Sequence, residues 1–491
     1  MHVHVVAASG TGMGSLAGLL RELGHRVTGS DVRFDPPIGP ALAEWGVECQ
    51  TGFDPAHLDP PPDLVVVGNV CRPDNPEARA AIEGGLAVTH IAGALARFAL
   101  EGTRPLVVAG THGKTTTTSL SAWLLDQAGL EPGFLVGGVP RNFGKSFRAA
   151  RPRRSLPQAA EAELTPVSQE RRPPFVIEGD EYDTAFFEKT AKFLHYRAEI
   201  AILTSIEHDH IDIYPTPEAY FQAFEQFIAG LPAEGLLVAN AADPEVVRLA
   251  SRHARCPVAW YALEGQDTHG VAPHWLGALA TAGADGTSFD LFAGGVAVGR
   301  IASPLPGLHN LANTVAALGA AAQGYGARFE RLIPALAAFQ GIKRRQELLG
   351  SPGGHPVYDD FAHHPTAVRE TLAALRNKHP KVPLIAVFEP RSATACRALH
   401  QDAYATSFGD ASRVILAPLG RDLPPAEALD TVRLADELTR RGTPAHAAQS
   451  LPEVLELVER HATDGSVIAL LSNGAFGGLH GQVLEALGEV R

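Results

Sequence analysis

Pro105-Leu106-Val107-Val108-Ala109-Gly110-Thr111-His112-Gly113-Lys114-Thr115-Thr116 is the stretch whose reading decides the fold. Residues 105–109 are an apolar run of strand length, and a helical pattern continues through residue 125. A glycine-rich turn ending in Lys-Thr between a strand and a helix is the setting of a phosphate-binding loop. Its glycines let backbone N–H groups converge on phosphate oxygens, and the helix N-terminus adds a favourable dipole. Lys114 can reach between β- and γ-phosphates, and the Thr115 hydroxyl suits Mg²⁺. Val108 stands where the common GxxxxGK[ST] pattern has its first glycine, leaving the tighter Gly-Thr-His-Gly-Lys-Thr.

Upstream, residues 2–7, 26–30 and 63–68 read as buried strands, with a helix over 16–23. Gly10, Gly12 and Gly14 form a GxGxG turn, and Asp31 follows about 20 residues on, where a ribose or base contact is typical. On that turn alone a nicotinamide-dependent oxidoreductase is a rival reading, but it leaves the phosphate loop unexplained. Downstream, 175–177 and 200–203 read as strands, and 217–231, 309–322 and 329–339 as helices. A last group of strands is expected at 356–358, 384–388, 413–417 and 466–471. Strands alternating with helices imply parallel α/β sheets. The expected units are 1–103, 104–339 and 340–491, with 149–174, rich in Arg, Pro, Glu and Ser, as an exposed insertion.

The composition agrees. The chain has 491 residues, which suggests three domains at ~100–200 residues each. A net charge of -13 argues against nucleic acid as the main partner. Cys49, Cys71, Cys256 and Cys396 make no CxxC pair, so neither a zinc knuckle nor a disulfide framework is expected. The N-terminus lacks the basic region of a signal peptide, and no apolar run is long enough for a bilayer. A cytoplasmic protein without membrane insertion is expected.

Charged groups cluster where strands end. Glu178, Asp180, Glu181 and Asp183 follow one predicted strand, and Glu207-His208-Asp209-His210 another. Carboxylates at strand C-termini line the ligand crevice of an open sheet and can hold the cation that a nucleotide brings. Lys343-Arg344-Arg345 reads either as a solvated face or as a hinge clamp for phosphates. Arg391, in Phe388-Glu389-Pro390-Arg391-Ser392, can pair bidentately with a substrate carboxylate.

In this order, Gly-Thr-His-Gly-Lys-Thr-Thr, Glu-Gly-Asp-Glu, Asp-His-Ile-Asp, His-Asn, Arg-Arg and Asp-Asp-Phe-Ala-His-His-Pro resemble the Mur ligase superfamily across almost the whole chain. The resemblance implies an N-terminal Rossmann-like UDP-binding domain, a central P-loop ATPase-like domain and a C-terminal Rossmann-like domain. It implies ATP and Mg²⁺, with UDP-N-acetylmuramate and the murein tripeptide L-alanyl-γ-D-glutamyl-meso-diaminopimelate as substrates. L-alanine as sole acceptor, and a nucleotide sensor without catalysis, remain alternatives. ATP would meet Gly110, Thr111, His112, Gly113, Lys114, Thr115, Thr116, Asn310, Arg345 and Asp360. Lys114, Glu178 and His210 would be catalytic, and Thr115, Glu178 and His210 would hold the metal. Gly10, Thr11, Gly12, Met13, Asp31, Asn69 and Asn142 would bind the UDP substrate, with Asn75 a further contributor. Arg391, Ser472 and Asn473 would meet the peptide. Several relatives carry a carbamylated Lys after Asp-His-x-Asp, whereas Tyr220-Phe221-Gln222-Ala223-Phe224-Glu225 has none. The muramate-using relatives share this lack.

Overall fold

Three sheets organise the chain in a computed structural model, which describes residues 1–151, 172–211, 213–283, 286–463 and 465–489. The insertion expected at 149–174 lies largely outside the described residues. The first sheet is 5-stranded and parallel, in the order Glu48–Thr51, Arg26–Asp31, His2–Val6, Leu64–Val67, Val88–His90. The order reverses on either side of His2–Val6, which opens a crevice at that strand's C-terminal end. The glycine turn and the helix Thr11–Glu22 begin there.

The central sheet is 10-stranded. Arg104–Ala109 lies at its heart, between Ile200–Leu203 and Pro174–Gly179, all parallel. These strands are buried along their length and read as continuous apolar runs, as expected with both faces covered. Both edges depart from the expected parallel layout: at one, Phe147–Arg148 pairs antiparallel with Gly133–Leu135, and the other departure is larger. Trp275–Gly283, Gly286–Ala293 and Val296–Ser303 form an antiparallel meander that sequence reading passed over. Its signal was present, because Gly294-Gly295 separates two runs as hairpin residues do. The last run is half exposed, with Ile301 and Ser303 buried, and carries little apolar pattern.

The third sheet is 6-stranded. Antiparallel Glu347–Gly350 is its edge, followed by parallel Val357–Asp360, Val467–Leu471, Leu384–Phe388, Arg413–Leu416 and Ala445–Ala447. Among the described residues, no helix is long and apolar enough to cross a membrane.

The first and central sheets share one apolar core. Leu16 and Leu20, Ile91 and Leu95, Phe147, Phe175 and Ile177 belong to a single buried cluster. The helix Thr11–Glu22 lies so close to the central unit that a Cβ on Gly18 would fall 2.3 Å from the Phe147 ring. Ser15 Oγ and Ser146 Oγ are 2.6 Å apart beside it. Phe147→Ala should therefore cost about 3–5 kcal/mol, read as a lower denaturant midpoint. The first and central units should loosen together.

Candidate active site

The phosphate loop forms where Arg104–Ala109 meets the helix Lys114–Gln127. Gly110 (φ 133°) and Gly113 (φ 79°) supply conformations that L side chains resist. A Cβ on Gly110 would lie 2.2 Å from Thr204 Oγ1, and one on Gly113 2.6 Å from Asn313 Oδ1. The N–H groups of Thr111 and His112 donate to Ser205 O (2.9 Å) and Ser205 Oγ (3.1 Å), which fixes the loop's entry.

The Lys114 ammonium is buried and donates to Gly110 O (2.5 Å), Thr111 O (3.3 Å) and the Glu181 carboxylate (3.1 and 3.3 Å). Burial alone would lower its pKa, but Glu181 first and then Asp180 hold it above the usual value. Burial pushes Glu181 up, while Lys114 and then His210 bring it down to about 2. His210, in a left-handed conformation (φ 53°), reaches Glu181 Oε1 at 3.3 Å. The Tyr220 hydroxyl lies 3.3 Å from the same oxygen and 2.9 Å from Thr111 Oγ1. Glu181 stands in the sequence only as one of four clustered carboxylates, and Tyr220 has no role assigned there. An acidic run announces a site but not which carboxylate faces inward.

Glu178 has a separate setting. Its Oε1 accepts from Gly137 N (2.6 Å) and its Oε2 from the Thr115 hydroxyl (3.2 Å). Burial first, then Asp180, pushes it up to about 7. Of the expected metal set, Thr115 and Glu178 are thus in contact, while His210 is paired with Glu181.

The cationic triplet divides three ways. Lys343 is exposed. Arg344 turns into the third sheet, bonding Asp359 Oδ2 (3.1 Å) and the carbonyls of Ser472 (2.7 Å) and Gly474 (2.6 Å). Arg345 reaches back to Thr115 Oγ1 (3.2 Å). Asp360 is buried and accepts from Gln346 N (2.7 Å) and Ala362 N (2.8 Å), which shapes the turn carrying Arg345. Glu207 adds a second tie between units, accepting from Thr366 Oγ1 (2.8 Å) and His112 Nε2 (3.3 Å). Between the central and third units lies a cavity of about 580 Å³, lined by Thr115, Asn310, Arg345, Asp360, Leu308 and Leu348.

Several expected ligand residues have structural duties. Asp31 accepts from Ser9 N (2.8 Å) and Val32 N (2.7 Å), so its carboxylate braces the glycine turn. The Met13 side chain is in the core, whereas Gly10 opens to free space and Thr11 and Gly12 begin the helix. Asn69 is exposed beyond Leu64–Val67, but Asn75 is an N-cap, accepting from Glu77 and Ala78 N–H. Asn142 donates to Ala338 O (2.9 Å) and accepts from Gln340 N (2.8 Å), which engages its amide in the hinge. The Ser472 hydroxyl is buried and donates to the Glu389 carboxylate. Asn473 is half-buried beside it.

Comparison with known proteins decides the family. Residues 2–103 match the "Mur ligase family, catalytic domain", 108–321 the "Mur ligase middle domain" and 344–474 the "Mur ligase, glutamate ligase domain". The UDP-N-acetylmuramate–L-alanyl-γ-D-glutamyl-meso-2,6-diaminoheptandioate ligase of Escherichia coli (strain K12) is 36% identical over 99% of this chain and 98% of its own length. The chain belongs to the Mur ligase family. Its fold follows that of a murein peptide ligase from Psychrobacter arcticus 273-4, with a TM-score of 0.74 and 34% identity over 100% of this chain and 99% of the other. A UDP-N-acetylmuramate–L-alanine ligase from Roseiflexus sp. (strain RS-1) is 33% identical over 97% of this chain and 96% of its own length. Like its relatives, this Mur ligase is an ATP-dependent, amide-forming enzyme.

The interface between the central and third units of this Mur ligase is rich in histidine. Burial pushes His363 down to about 4. Burial, and then His112, pushes His364 down to about 3. An unfolded histidine titrates near 6.5, so on acidification below ~6.5 the unfolded chain takes up protons that the folded protein refuses. The stability held by these rings is complete above pH ~6.5 and is lost as pH falls toward 4. His364 caps the helix Pro365–Lys378, accepting from Thr366 N. Asparagine can keep that cap. His364→Asn should therefore remove about 2–3 kcal/mol of the acid-side loss, and a melting series from pH 7 to 4 measures it.

Proposed function

We propose that this Mur ligase joins the lactyl carboxylate of UDP-N-acetylmuramate to the α-amine of L-alanyl-γ-D-glutamyl-meso-diaminopimelate, in cytoplasmic reuse of cell-wall peptides. Similarity over nearly the whole chain to a ligase named for those two substrates carries the reading. In this reading residues 1–103 hold the UDP end, 104–339 hold ATP, and 340–491 close over both with the peptide.

Thr115 Oγ1 and Glu178 Oε2, 3.2 Å apart at a helix N-terminus, are hard oxygen donors of the kind Mg²⁺ takes. The raised Glu178 pKa, with Asp180 beside it, marks a pocket whose negative charge a cation would relieve. The residues fit, and Thr115 and Glu178 would hold the ion with His210 adjoining. When bound, Mg²⁺ neutralises charge across the β- and γ-phosphates.

The muramoyl carboxylate attacks the γ-phosphorus, the bond to the β,γ-bridging oxygen breaks and ADP leaves, while Lys114 and Arg345 offset the charge that builds on the phosphoryl oxygens. The resulting acyl phosphate is attacked by the peptide amine, and phosphate leaves as the amide forms. Water would hydrolyse the acyl phosphate. The Arg345–Thr115 and Glu207–Thr366 ties would hold the third unit closed against it.

Lys114→Ala should lower turnover by about 10²–10³-fold, measured as acceptor-dependent ADP release. Similarity to L-alanine ligases favours the second reading, with L-alanine as sole acceptor. Parallel assays with ATP, UDP-N-acetylmuramate and either tripeptide or L-alanine should give amide product with the tripeptide. Efficient ligation of free L-alanine instead would overturn the acceptor assignment.

A further inference from the structure

An ammonium has three N–H donors, and those of Lys114 are all engaged: by Gly110 O, Thr111 O and the Glu181 carboxylate. A phosphate can bind Lys114 only by displacing one of them. Glu181 is the anion among the three, so a phosphate oxygen replaces it like for like, and the buried ammonium keeps a negative partner throughout. Glu181 is not stranded by that exchange. It is fully buried, yet His210 Nε2 and the Tyr220 hydroxyl each remain 3.3 Å from its Oε1. Its own carbonyl accepts from Tyr214 Oη at 2.5 Å, which fixes the backbone at this point.

We propose that Glu181 is the positioning residue of the ATP site: it holds the Lys114 ammonium until a nucleotide phosphate displaces it, and it then holds His210 in place for phosphoryl transfer. The second half rests on the ligase reading above, while the first concerns nucleotide binding alone. Because Glu181 competes with phosphate for one cation, part of the intrinsic affinity for ATP is given up in the exchange. A merely structural carboxylate would do the opposite, since its loss would disorder the loop and weaken binding.

The test is Glu181→Gln, which keeps the shape and one acceptor oxygen for His210 and Tyr220 but removes the charge and the second acceptor. Its Kd for adenosine 5′-(β,γ-methylene)triphosphate, by calorimetry, should fall about three- to tenfold. Its kcat for amide formation should fall about tenfold or more. Glu181→Asp should return Kd toward the wild-type value. An unchanged or raised Kd, or an unchanged kcat, overturns the proposal. If Glu181→Gln does not fold, the wild-type protein crystallised with the same analogue decides it. Lys114 should lie beyond about 4 Å, the ion-pair limit, from Glu181, and a retained pair overturns the exchange. Failure of the wild-type protein to ligate either acceptor would refute the function proposed above and leave the Kd comparison standing.

Discussion

Burying the Lys114 ammonium is the constraint around which the centre of this molecule is built. A charge removed from water must be paired and hydrogen-bonded. Here two partners are local, the loop carbonyls at Gly110 and Thr111, and the third, the Glu181 carboxylate, comes from far along the chain. Glu181 in turn needs His210 and Tyr220. One cation thereby fixes the phosphate loop, the acidic strand end, the histidine loop and the helix Pro217–Ala229 in mutual register. Burial first, and then the Asp180 charge, push Glu178 up to about 7, which leaves it responsive to any cation placed against it.

The other units are tied to this centre by few but specific contacts. Arg345 bonds Thr115 across the boundary with the third sheet, and Glu207 joins His112 to Thr366. On the opposite side, the strand pair Asp183–Ala185 and Glu188–Ala191 leaves the acidic segment and packs Phe186 against the cluster containing Ala7 and Cys71, at the glycine turn. The side chain of Glu188 meets His90 of the first unit at 3.1 Å. The acidic segment therefore touches the phosphate loop at one end and the first unit's crevice at the other. A ligase that must bring two bound substrates together needs such a path.

The sequence disclosed what is local. Strand, glycine turn and helix N-terminus lie within 105–116, and the same holds for the strand at 384–388, which the structure reproduces as Leu384–Phe388. Contacts that are tertiary were out of reach. Nothing in Glu178-Gly179-Asp180-Glu181 says that the first carboxylate meets Thr115 and the last meets Lys114. Asn142 enters as an expected ligand residue through the family resemblance alone. The structure uses its amide to pin the hinge, where Arg141 N and Gly341 O also pair at 3.0 Å. The meander at 275–303 escaped because its outer strand is half exposed and carries little of the apolar alternation that betrays a half-buried strand.

The loop at 472–478 spends much of its polar capacity on neighbours within the third unit. Its Ser472 hydroxyl occupies Glu389, and its Ser472 and Gly474 carbonyls hold Arg344. Beside the loop lies Arg391. A Cβ on Gly474 would fall 2.2 Å from Arg391 Cδ and Nε, and one on Gly420 2.7 Å from Cγ. The arginine stem thus lies against two glycine backbones, and a larger residue at either position would have to displace it. Glu389 holds the guanidinium only loosely, at 3.5 Å. A flat cation on a stem held against glycine backbones loses little freedom when it binds, and its planar fork suits a carboxylate. An acceptor rich in carboxylates would find that cation already aimed, at the C-terminal ends of the strands where the third sheet opens.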